Sequence, residues 1–93
     1  MISHELHAAM DAWLRVDTWH TDHPLDEKRF FDALLVAESE GPRNFNVDHF
    51  SDVALELVEK YHPRLNQDFR DEQLTRKAIS AETIMSYLQH SHR

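Results

Sequence analysis

Cysteine is absent from the 93-residue chain, glycine occurs once, and proline occurs three times. The lack of thiols excludes a disulfide framework, an iron–sulfur cluster, a thiol nucleophile and any cysteine-type zinc site. Long hydrophobic runs are also missing. The longest uninterrupted apolar stretch is Ala33–Ala37, far short of the roughly 20 residues a membrane-spanning helix needs. Glu5, Asp11, Arg15 and Asp17 break up the first twenty residues, so no secretory signal is expected there. The expectation is a cytoplasmic protein without membrane association. No Gly-rich phosphate loop, G-x-S-x-G or H-E-x-x-H occurs, which predicts a non-enzyme without a cofactor.

Positive charge is scarce. Ten Lys and Arg face 17 Asp and Glu, for a net charge of −7. Residues 1–59 hold 13 acidic and 4 basic side chains, and residues 60–93 hold 4 and 6. The first two-thirds would repel nucleic acid, and only the last third could tolerate it.

What is present is core material: Trp13, Trp19, five Phe, two Tyr and many Leu and Val. One domain of this size buries roughly 60–65% of the surface its unfolded chain exposes. No segment alternates with period two, and the prolines and the glycine fall between segments of helical period. The prediction is an all-α protein, a small bundle of four to five helices over residues 1–93, with 90–93 frayed.

The first helix is expected from Ser3 or His4 to about Trp19, with Ser3 as N-cap. Pro24 fits the first turn of a second helix, whose inner face would be Phe30, Phe31, Leu34 and Leu35, and Gly41 would terminate it. Asn46 is the N-cap of a third helix. Phe45 and Phe50 form a hydrophobic staple around its start, and Pro63 ends it near Tyr61. A fourth helix over Gln67–Ala78 and a fifth starting at Ser80 complete the chain. There, Ile79 and Ile84 would repeat the staple.

The third helix carries the clearest functional signal. Asp48, Asp52, Glu56 and Glu59 fall within an arc of about 80° at 100° per residue, opposite the apolar face. No lysine or arginine stands between Asp48 and Glu59. A carboxylate in the first turn suits the helix dipole, which accounts for Asp48 alone. Like charges at i, i+4 oppose the helix slightly, so the stripe does nothing for the element that bears it. Asp26 and Glu27, with Asp22 and Asp32, would extend the negative field if the second and third helices pack side by side.

Eight histidines are many for this length. Two pairs, His4/His7 and His20/His23, have i, i+3 spacing that suits a shared metal, and His20, Asp22 and His23 are the best local cluster. Ordinary surface histidines are the simpler account of all eight. Their protonation below about pH 6 would carry the net charge towards zero.

Near the end of the chain, "ISAETIMSYL" resembles the turn and recognition helix of a helix-turn-helix motif. The resemblance makes Ile79-Ser80 the turn, Ser80 the cap, and Ile84 and Tyr87 the inward anchors. It covers about 20 residues. It departs from such motifs at Leu74, Lys77 and Ala78, and its second helix offers no Lys or Arg before Arg93. It implies a DNA-binding regulator using residues 70–90, with Arg70, Arg76 and Lys77 at the phosphates.

The favoured reading is a non-catalytic protein-interaction module. It would be a small acidic inhibitor of the immunity or antitoxin kind, or a regulatory adaptor. Asp48, Asp52, Glu56, Glu59, Asp26 and Glu27 would meet a basic surface on a partner protein, such as a toxin or a nucleic-acid-binding protein. Nucleic acid itself is disfavoured as a partner, and a homodimer is compatible with the sequence.

Overall fold

The computed structural model describes residues 2–91. Four α-helices make up most of it: α1 (His4–Leu14), α2 (Pro24–Ser39), α3 (Val47–Tyr61) and α4 (Gln67–Ser91), with a 3-10 turn at Pro42–Asn44. There is no strand among the described residues, and the fold is all-α. No helix is long and apolar enough to cross a membrane among those residues.

Each start follows from a local signal. The Ser3 hydroxyl accepts from the Leu6 N–H, and Pro24 opens α2 behind His23, whose ring nitrogen accepts from the Leu25 N–H. The Asn46 side chain accepts from the N–H groups of both Asp48 and His49, satisfying donors that the first helical turn leaves without a partner. The Phe45 and Phe50 rings lie 5.6 Å apart, as the staple requires. Gly41 turns the chain at φ +121°, a region where a side chain is strained.

The first helix is shorter than expected. It stops at Leu14, and residues 15–22 form turns. Val16, Asp17 and Thr18 are all weak helix formers. The helix end is capped from outside the element: an Arg29 N–H donates to the Ala12 carbonyl (2.8 Å), and the His62 ring meets the Leu14 carbonyl (2.9 Å). Trp19 still reaches the core, fully buried, from the turn.

The predicted break in the last helix is absent. One continuous α4 runs through Ile79 and Ser80. It contains neither proline nor glycine, and Thr83 donates to the Ile79 carbonyl one turn back. Ser80 is therefore an exposed mid-helix residue, not a cap, and Ile79 is 62% exposed instead of stapled. Tyr87, expected as an inward anchor, is 72% exposed. The helix continues through His90 and Ser91, while 92 and 93 lie outside the described residues.

The core is built around Trp13, whose ring lies 4.9 Å from Phe30 and 6.0 Å from Phe50. Met10, Leu14, Leu34, Ala54, Val58, Ala81 and Met85 close around it. On α2 the buried face is Asp26, Phe30, Ala33, Leu34 and Ala37. Phe31 and Leu35, expected inside, are exposed. Helix α1 packs on α2 and α3, and α4 packs on α3 and α2. Helices α2 and α3 lie across the core from one another, touching through the Phe30 and Phe50 rings at 6.4 Å. They are not side by side, so a continuous acidic face spanning both does not form.

Candidate functional site

The stripe on α3 is held outward by the burial of the opposite face. Phe50, Ala54, Leu57 and Val58 face the core, and Asp48, Asp52, Glu56 and Glu59 are all exposed. Tyr61 fixes the far end of the helix by donating to Asp11 (2.6 Å). The stripe is thus carried on a rigid element. Three of its members, Asp48, Asp52 and Glu56, take part in no ion pair among the described residues. Lys60, one turn beyond Glu56, instead lies 5.1 Å from the Tyr61 ring centre. The fourth member differs: Arg70 reaches Glu59 at 3.2 Å while also holding Asp71 at 3.1 Å.

The α2 carboxylates do not join this face. Asp26 is completely buried. Its Oδ1 accepts from the Trp13 indole N–H (2.5 Å), and the Lys77 ammonium lies 2.8 Å from its Oδ2. Burial pushes the Asp26 carboxyl above its ordinary range, against the downward pull of Lys77 and the Trp13 bond. Exclusion from water penalises the charged form more than one cation and one N–H offset. Asp26 is therefore a structural tie between α2 and α4, and its full burial keeps it from meeting a partner, contrary to the expectation from sequence. Glu27 is exposed, 4.0 Å from the same ammonium, and lies on the helix diagonal to the stripe.

The metal candidates do not converge. The His23 ring caps α2 through Nδ1. His20 packs against the rings of Trp19, His62 and Phe69 at 5.8, 6.4 and 5.8 Å, and Asp22 is exposed. No group of three or more His, Asp or Glu residues that could hold a metal occurs among the described residues.

The residues set aside for phosphate contacts are engaged within the chain. Arg70 is paired as above, and its side chain is only 15% exposed. Arg76 holds Glu72 at 2.9 Å, one turn away, and Lys77 holds Asp26. The turn between the two helices of the expected motif does not exist. Residues 70–90 lie within one continuous helix, without the crossing pair that sets a recognition helix into a groove.

A second feature lies beside the stripe. Where α3 meets α4, an open groove of about 360 Å³ is lined from α3 by Asp48, Asp52 and Leu55. Asp71, Leu74, Ala78, Ile79 and Glu82 line it from α4. Residues 71 and 82 are eleven apart, close to three turns, and so return to one face. That period is visible in the sequence once 67–91 is taken as a single helix. Splitting the segment at Ser80 hides it.

No protein-family model matches the chain, and no curated protein or solved structure matches it.

Proposed function

We propose that the protein is a non-catalytic, cytoplasmic interaction module. In this reading the four helices form a small bundle that presents a negative surface to a basic partner protein. The observation that carries the proposal is the triplet Asp48, Asp52 and Glu56. These residues are exposed on a helix anchored by its other face and take part in no ion pair among the described residues. Fixed carboxylates at one-turn spacing can take the place of phosphates in a basic cleft. This suits a small inhibitor of the immunity or antitoxin kind, or a regulatory adaptor, acting on a toxin or nucleic-acid-binding protein. Such a face speeds encounter with a positive surface and rejects acidic partners. The surface involved is α3 with the adjoining edge of α4. Glu59 contributes less because it shares Arg70, and Asp26 contributes nothing directly.

The test is affinity capture from source lysate at low and moderate salt, using the wild-type chain and the double variant Asp52→Lys/Glu56→Lys. A basic protein that co-purifies with the wild type, binds it again when purified, and is lost with the variant supports the reading. A purified partner that binds both forms equally would show the stripe to be merely solvated. The DNA-binding alternative has no observation in its favour. A gel shift at low salt would still register it.

A further inference from the structure

We infer that the groove between α3 and α4 is the seat of a basic amphipathic helix of the partner protein. This rests on the acidic-face reading and names what that face receives.

The groove's apolar lining is Leu55 from α3, and Leu74, Ala78 and Ile79 from α4. Ile79 is 62% exposed, a large apolar side chain standing in water. Carboxylates line the groove from both helices. Asp48 and Asp52 stand on α3, and Asp71 and Glu82 stand on α4. No Lys, Arg or His lines the groove among the described residues. Asp71 shares Arg70 with Glu59, while Asp48, Asp52 and Glu82 enter no ion pair among the described residues.

An occupant must therefore bring apolar side chains with positive charge beside them. The lining residues 71, 74, 75, 78, 79 and 82 span about 16 Å along α4 at 1.5 Å per residue, or about three turns. A helix fits that length with anchors at i, i+3 or i+4, and i+7, and lysines or arginines beside them. A second copy of this chain is a poor occupant. A two-fold contact through this groove would set its four carboxylates against the same four.

The probe is a synthetic peptide of about fourteen residues, with leucines at i, i+3, i+4 and i+7 and lysines on both flanks. Its control is an isomer of identical composition with the order scrambled. Both are titrated into the isotope-labelled full chain and followed by amide NMR. The patterned peptide is expected to bind at least tenfold more tightly than the scrambled one, shifting amides in 47–55 and 71–82. Ile79→Glu should abolish that preference even though it adds a negative charge, which separates apolar seating from bulk attraction. Ile79→Ser, a milder change at the same exposed position, should weaken the preference with the helix content unchanged.

If patterned and scrambled peptides bind alike, the groove inference fails and the acidic-face reading stands. If neither binds at low salt, both fail. If the chain self-associates through Ile79 and the peptide does not compete, the groove belongs to a second copy and the inference is overturned.

Discussion

Lys77 Nζ lies 2.8 Å from Asp26 Oδ2, joining the middle of α4 to the first turn of α2 inside the core. The ammonium also sits 4.8 Å from the centre of the Phe30 ring, which adds a cation–π contact to the ion pair. Lys77→Met should leave a buried carboxylate with Trp13 as its hydrogen-bond donor, at a cost of about 3–5 kcal/mol at neutral pH. The pH dependence follows from the raised folded-state value of Asp26. A group whose folding raises its pKa favours the protonated form. Its contribution is complete below the unfolded value and is lost as pH rises through the folded one. The deficit of Lys77→Met relative to wild type should therefore shrink as pH falls from 7 to 4. Urea unfolding followed by tryptophan fluorescence at several pH values checks this, and a deficit independent of pH would contradict it. Replacing both partners, as Asp26→Asn with Lys77→Met, keeps an acceptor for Trp13 and should recover most of the loss.

Continuity of α4 makes a second prediction at Ser80. Were this residue an N-cap, Ser80→Ala would cost about 1 kcal/mol. In an exposed helix interior the same change is favourable by a few tenths, roughly 0.3–0.5 kcal/mol. The unfolding midpoint in urea should move slightly upwards. Asn46→Ala is the matched control, because its side chain accepts from two backbone N–H groups and its loss should destabilise by about 1 kcal/mol.

These two positions show what the sequence could reveal. Ser3, Pro24 and Asn46 act on their own helix starts within a few residues, so the starts of α1, α2 and α3 were legible from local chemistry. The exit of α3 at Tyr61 was legible from Pro63 for the same reason. Ser80 has the same residue type as Ser3 but lacks a break in front of it. A cap preference cannot by itself stop a helix built of good helix formers. The burial of Asp26 was hidden because its partner lies about fifty residues away. The buried face of α2 was hidden with it: the small Ala33 and Ala37 face the core, while the larger Phe31 and Leu35 are exposed. The acidic stripe was legible as an arc on α3. Its neighbours were not, since whether α2 or α4 flanks α3 is decided by tertiary packing.

Arg70 bears on how the stripe divides. It bridges Glu59 and Asp71 across the α3–α4 junction with most of its side chain covered. Arg70→Gln should release both carboxylates and enlarge the free negative face. The expected result is faster capture of a basic partner at low salt, with the gain vanishing at high salt as the added charges are screened. Stopped-flow association at two ionic strengths measures it. An unchanged rate would mean that Glu59 and Asp71 lie outside the contact.

The sharpest separation of function from stability lies at Asp52. It sits one turn from Asp48 and one turn from Glu56, so it takes part in two repulsive i, i+4 pairs on an exposed face. Asp52→Lys converts both into attractive pairs, each worth about 0.2–0.5 kcal/mol. The isolated chain should become slightly more stable. The same substitution places a cation in the middle of the proposed contact and should slow association and weaken binding, because like charges now face each other. A residue kept only for solubility would show neither opposition. Thermal unfolding and partner affinity, measured on the same preparation, should therefore move in opposite directions. If both improve, or if affinity stays constant while stability rises, the carboxylate at 52 is not there for a partner.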